Sequence, residues 1–141
     1  MSQDISIMLT VDVKGLHNDP ENPLKYINLS DNQPSDGYDN PNNKSTFDTI
    51  ADSNTLVSWS AQDEGTGNLV IITGLKFEGA PEGFFEKPPY QLGDDSWVAI
   101  LGTNTLEYNL ASEYTITFDD GVRGDREIPI DPKLQIRGKG V

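Results

Sequence analysis

Near its start the chain alternates Ile5, Ile7, Leu9, Val11 and Val13 with Asp4, Ser6, Met8, Thr10 and Asp12. One apolar residue every second position is the pattern of a strand with one buried face, whereas a helix would scatter these side chains around its circumference. The same period returns where Tyr114, Ile116 and Phe118 alternate with Glu113, Thr115, Thr117 and Asp119. No amphipathic helical window appears anywhere between. The two runs therefore restrict the chain to an all-β architecture.

The remaining segments fit that restriction. Lys25 to Ser30 is a short β-like run, and Leu56-Val-Ser-Trp-Ser-Ala sets Val57 and Trp59 on one face, which predicts a core tryptophan. Leu69 to Phe77 opens with an unbroken apolar stretch, as a strand covered on both faces would, and Gly74 inside it marks a bulge. Glu78 to Asp95 is rich in Gly and Pro and reads as a long irregular connection whose aromatics cap the core, after which Ser96 to Leu101 resumes the sheet. Asp120-Gly121 signals a reversal before Arg126 to Ile130, and Lys133 to Arg137 makes a last strand after Asp131-Pro132. Roughly eight strands at spacings of about ten residues predict an antiparallel two-sheet β-sandwich with Greek-key, immunoglobulin- or cupredoxin-like topology. The whole of 1–141 reads as one domain, with 138–141 as a flexible tail and the apolar terminal strands at sheet edges.

Composition narrows the function. The chain has 23 Asp plus Glu against 10 Lys plus Arg, a formal net charge of -13, which argues against nucleic acid and anionic membrane surfaces as partners. With no cysteine there are no disulfides, no thiolate catalysis and no Cys-based zinc or blue-copper site. His17 is the only histidine; it reads as part of a Pro/Asn loop, and no Gly-x-Ser-x-Gly elbow accompanies it. Nothing marks two of the carboxylates as a catalytic pair, so no catalytic residue is assigned and the expectation is a protein that is not an enzyme. The N-terminus lacks a signal-peptide pattern, which implies a cytoplasmic protein with non-classical release left open.

The oxygen-rich segment from 17 to 48 holds the candidate site. Asp19, Asn22, Asp31, Asn32, Asp36 and Asp39 supply the carboxylate and amide oxygens that a hard cation such as Ca2+ requires, although the spacing is not that of an EF-hand. Beside them Tyr38 offers an aromatic face and Asn40 an amide for a sugar, a calcium-assisted carbohydrate-binding arrangement. The competing reading is turn chemistry, for which Asn, Asp, Pro and Gly are the usual residues. Asp94-Asp95 and Asp119-Asp120 read as turns, and Arg123-Gly124-Asp125 is a chance tripeptide explained by its turn context.

Taken in order, Ile5-Ser-Ile-Met-Leu-Thr-Val-Asp12, Asn18-Asp-Pro-Glu-Asn-Pro23, Val70-Ile-Ile-Thr-Gly-Leu-Lys-Phe77 and Asp131-Pro-Lys-Leu-Gln-Ile136 resemble the bacterial inclusion-body protein family of the PixA/AidA type. The resemblance spans most of the chain. It departs from that family in a shorter length and in carrying only two Met. The C-terminal segment is also similar to small bacterial cupredoxin-like sandwiches ending in Asp-Pro-Lys-Ile-x-Val. What the first resemblance implies is a β-sandwich that self-associates into a homo-oligomer or dense inclusion. Neither resemblance brings catalytic residues with it.

Overall fold

The computed structural model describes residues 4–32, 48–93, 96–119, 125–127 and 132–139. Among them run ten strands: β1 (Ile5–Val11), β2 (Ile27–Asp31), β3 (Asp48–Ala51), β4 (Leu56–Asp63), β5 (Leu69–Glu78), β6 (Phe85–Leu92), β7 (Ser96–Leu101), β8 (Leu110–Asp119), β9 (Asp125–Glu127) and β10 (Lys133–Ile136). A six-residue helix, α1 (Val13–Asn18), and a 3-10 turn at Pro23–Tyr26 join β1 to β2.

The protein is all-β, as the alternation requires, but its pairing is mixed. Strand order runs β2-β1-β4-β5-β8-β10-β3, with β7 and β6 continuing from β4 and β9 lying on β8. The arrangement is a nearly closed, barrel-like sheet with two leaves. One leaf is β2-β1-β4-β7-β6; the other is β5-β8-β10-β3 with β9. They join where Ala61 and Gln62 of β4 pair with Val70 and Leu69 of β5. On the far side β2 and β3 end the order, and the Thr49 hydroxyl donates to Asp31 at 2.8 Å between them.

Two pairings correct the expected purely antiparallel sandwich: β1 lies parallel to β4, and β10 parallel to β3. Both terminal strands are consequently interior, β1 between β2 and β4 and β10 between β8 and β3, and not at edges. The residues expected to form one irregular connection include β6, which pairs with β7. Its Pro88-Pro89 step is compatible with a strand because the register with β7 shifts between Lys87 and Tyr90, so neither proline holds a paired position, and because β6 pairs on one side only among the described residues. Leu69 and Ile71 of β5 are exposed, so only Val70 and Ile72 of that apolar run enter the core. The bulge falls where Gly74 predicts it, with the β5–β8 register shifting between Ile72 and Gly74.

The β1 alternation stops one residue early because Asp12 caps a helix instead of continuing the strand. Its carboxylate accepts from the Gly15 N–H at 3.0 Å, its carbonyl accepts from Leu16 N–H, and Leu16 is buried against the end of the core. A Cβ at Gly15 would sit 2.5 Å from the Tyr26 ring and 2.6 Å from the Asp12 carboxylate, so the helix can pack this tightly only with glycine. His17, expected in a loop, occupies the last turn of α1 and is exposed. Gly138 and Lys139, expected at the start of a flexible tail, donate their N–H groups to Asn109 Oδ1 and to the Leu106 carbonyl.

The core lies between the leaves. Trp59 of β4 meets Phe77 of β5 and Tyr114 of β8 edge-on, at centroid distances of 6.0 and 5.9 Å, and Phe77 stacks on Tyr114 at 4.7 Å. The indole N–H of Trp59 donates to the Tyr114 hydroxyl at 3.3 Å, and burial pushes that hydroxyl's pKa well up. Ile5, Ile7, Leu9 and Val11 all enter this cluster, as the alternation predicts.

Candidate interaction face

Residues paired across a sheet share a face, so the registers define what each leaf presents outward. On the first leaf, Ser6, Met8 and Thr10 of β1 point away from the core, since Ile5, Ile7, Leu9 and Val11 are buried. Met8 pairs with Ser30 of β2 and with Ser60 of β4, while Thr10 pairs with Asn28 and Gln62. The contact of the Ser60 hydroxyl with the Met8 sulfur, at 3.7 Å, shows the two side chains on the same side. Ser6 pairs with Ser58, Ser58 with Val98 of β7, and Val98 with Tyr90 of β6. Leu56 pairs with Ile100 and Ile100 with Lys87; Ser96 pairs with Leu92.

Among the described residues, none of these outward, paired positions carries a carboxylate. In a chain with 23 Asp plus Glu that is a marked local depletion, and it leaves a face of Ser, Thr, amide, Met and apolar groups with the single cation Lys87. Its apolar half lies on β4, β7 and β6. Val98, paired with Ser58 and Tyr90, is only 6% exposed and is not part of the central core cluster. Tyr90 beside it carries the Lys87 ammonium 4.5 Å above its ring, and Leu92 is 53% exposed. Asp4 and Asp12 flank β1, and Glu86 sits where the β6 register slips, so the nearest acids form a rim.

The second leaf presents the opposite chemistry. Glu78, Glu113, Lys133 and Asp48 stand in one row across β5, β8, β10 and β3, followed by Lys76 beside Thr115. Lys76 and Glu78 approach to 3.6 Å, and Gln135 Nε2 donates to Asp48 at 2.7 Å. This leaf carries charges of both signs with acids in the majority, and one Asp48 oxygen in its row is buried without a hydrogen-bond partner among the described residues.

The residues expected to bind a cation are split between the two ends of β2. At one end the Asp19 carboxylate accepts from Asn22 Nδ2 at 3.0 and 3.2 Å and from the Tyr26 hydroxyl at 2.9 Å. Those bonds, Asn22 first, hold Asp19 below the usual carboxylate range and raise Tyr26 above the usual phenol. At the other end Asp31 accepts from Thr49, and the Asn32 amide ties β2 back to β1, donating to the Asp4 carbonyl and accepting from Ser6 N–H, each at 3.0 Å. Four intervening residue steps separate the ends by about 13 Å. Asp36, Tyr38, Asp39 and Asn40 lie outside the described residues. Among the described residues there is no group of three or more His, Asp or Glu placed to hold a metal ion. A cleft of about 270 Å3 lies beside α1, lined by Val13, Asn68, Leu69 and Ile71, with Asp63 on its wall already engaged by the Val13 N–H and the Thr66 hydroxyl.

No protein-family model matches this sequence, and no curated protein sequence matches it. Among solved structures, the chain is similar to the crystal structure of an inclusion body protein, PixA, from Burkholderia cenocepacia. The superposition has a TM-score of 0.52 at 9% identity and covers 98% of this chain and 95% of that one. The chain therefore has a PixA-like fold, which the ordered motifs of its sequence led one to expect. Against this neighbour the expected shortfall in length does not arise.

The uncharged face had a partial signal in the sequence. Ser6, Met8 and Thr10, and likewise Ser58 and Ser60, fill the polar half of two alternating runs without a single acid. Their union into one surface needed the parallel β1–β4 pairing.

Proposed function

We propose that this chain is a non-enzymatic assembly module that self-associates, in the manner of an inclusion-body protein, in the bacterial cytoplasm. The observation that carries this reading is the likeness in fold, along nearly the whole of both chains, to a protein named for inclusion bodies. Within it the two leaves act as the two layers of a β-sandwich, held at one margin by the β4–β5 pairing. Layers of this kind bury one side in the molecule and leave the other for a neighbour.

The experiment is sedimentation velocity of the whole chain from micromolar to millimolar concentration, at low and at high salt. A weight-average mass that climbs with concentration, and climbs further when salt screens the net charge of -13, supports the reading. A mass that stays at 15.5 kDa under every condition overturns it.

A further inference from the structure

We infer that the carboxylate-free outer face of the β2-β1-β4-β7-β6 leaf is the surface on which a second copy of this chain docks, face to face. The inference rests on the self-association reading and adds to it the place of contact.

Charge selects the occupant. Two copies with a net charge of -13 repel at most mutual orientations, and like charges brought into contact without solvent cost more than an interface gains. Stacking the first leaf on its own equivalent brings no carboxylate at a paired position against another, because Ser6, Ser58 and Ser60 occupy the centre, Lys87 is the one charge at a paired position of the face, and Asp4, Asp12 and Glu86 stay at the rim. The second leaf is less suited to such stacking, as the row of Glu78, Glu113, Lys133 and Asp48 would place acids against acids in many registers.

Size and shape agree. Five strands at about 4.8 Å spacing and about 23 Å of strand length give about 500 Å2 per copy, or about 1,000 Å2 for the pair, the lower bound for a specific interface. Small Ser and Thr side chains keep the β1–β4 half flat, so two twisted leaves can approach to the usual sheet spacing of about 10 Å. The apolar half, with Leu56, Ile100, Tyr90 and Leu92, supplies the area removed from water. Edge-to-edge addition at β6 is disfavoured, since Pro88-Pro89 interrupts the N–H donors along that strand.

The test compares the two leaves in the whole protein. Ser58→Glu, near the centre of the carboxylate-free face, is expected to lower the association constant at least tenfold, and Leu92→Glu, at a site 53% exposed in the monomer, to lower it severalfold. Thr115→Glu on the charged leaf is expected to associate as the parent does. Because the chain has no cysteine, Ser58→Cys and Thr115→Cys each carry one thiol, and a short bismaleimide able to span about 10 Å reports proximity between copies. The expected result is covalent dimer from Ser58→Cys and none from Thr115→Cys. Parent-like association of both Ser58→Glu and Leu92→Glu, or cross-linking at 115 and not at 58, overturns the inference while leaving self-association intact. A parent protein that is monomeric throughout overturns the reading on which it stands.

Discussion

The two leaves are built from the same alternating code and end with opposite surfaces. Across β1 and β4 every second residue is buried and apolar and the outward residues are Ser, Thr, Met, Gln and Leu; across β5, β8, β10 and β3 the buried residues are apolar apart from Thr49 and Ser112, but the outward row includes Glu78, Glu113, Lys133 and Asp48. Folding requires only that one half of the alternation be apolar. The other half is free to vary, and in this chain it divides into a leaf that repels its own kind and one that does not. The proposed contact between copies would use this contrast, since like charges pressed together without solvent oppose association.

The largest expected effect tests whether the leaves, different outside, depend on one interior. Trp59 comes from the uncharged leaf and packs on Phe77 and Tyr114 of the charged one. Trp59→Ala is expected to cost about 3–5 kcal/mol, a large share of the ~5–15 kcal/mol that holds a domain of this size together. Denaturant melts followed by far-UV and near-UV circular dichroism should shift together. Separate transitions for the two signals would mean that the leaves are energetically independent, and the comparison would then be between two units and not two faces of one.

A smaller, local effect is expected at the β6–β7 margin of the uncharged leaf. Gly102 follows β7 and donates its N–H to the Phe84 carbonyl at 2.8 Å, and a Cβ there would collide with the Gly83 carbonyl oxygen. Gly102→Ala is expected to cost roughly 1–3 kcal/mol by overpacking. Hydrogen exchange should accelerate in β6 and β7 before it does in β8 and β10. If β8 and β10 lose protection equally, the margin is not a separable part of the first leaf.

How much of this was legible depended on whether a feature is local. The alternation at Ile5–Val11 and at Tyr114–Phe118, the core position of Trp59 and the bulge at Gly74 follow from side-chain period and glycine geometry, and the structure has them. Helix α1 escaped because six residues are shorter than any periodic window, although Asp12 three residues before Gly15 is a capping spacing. Strand β6 escaped because Pro88-Pro89 argues for a loop until the strand is known to be an edge. The parallel β1–β4 and β3–β10 pairings join segments far apart in the chain, and no local pattern encodes their direction. The candidate face shared that fate, being a property of register and not of any one segment. Of the residues expected to bind a cation, Asp19 and Asn22 bond to each other three residues apart, as Asp and Asn often do in turns, whereas Asp31 bonds to Thr49 and Asn32 to Asp4 and Ser6, partners far along the chain.

A modest effect is expected where the two leaves meet. The Asp63 carboxylate, at the end of β4, accepts from the Thr66 hydroxyl at 2.7 Å and the Val13 N–H at 3.2 Å, so it fixes both the turn into β5 and the start of α1. Those bonds, Thr66 first, hold its pKa below the usual carboxylate value. A group with a lowered folded pKa contributes stability that is present above its unfolded pKa, near 4, and is lost as pH falls through the folded value. Asp63→Asn is therefore expected to cost about 1 kcal/mol at pH 7, the low end for charge-assisted bonds because the site is partly exposed. The difference from the parent should shrink below pH 4, measured by urea melts. A difference that stays constant down to pH 2 would show that the carboxylate's charge is not what secures the junction.

The smallest expected effect distinguishes two pairs of residues first read as cation ligands, Asp19 with Asn22 ahead of β2 and Asp31 with Asn32 at its far end, β2 itself being about 13 Å long. A cation held by several oxygens stabilises the folded state by roughly 2.7 kcal/mol at a hundredfold excess over its dissociation constant, so calcium bound anywhere on the chain would raise Tm measurably. The Asp19 oxygens already accept three hydrogen bonds between them, from Asn22 and Tyr26, and a cation drawing on them would compete with those bonds. Melting curves in EDTA and in calcium, run on the parent and on Asp19→Asn, are accordingly expected to show the same calcium increment in both, whatever its size. An increment present in the parent and absent from Asp19→Asn would place a cation at the α1 end of the first leaf. That end borders the uncharged face beside Thr10 and Asn28, so such a result would also give the docking surface a charged neighbour that calcium controls.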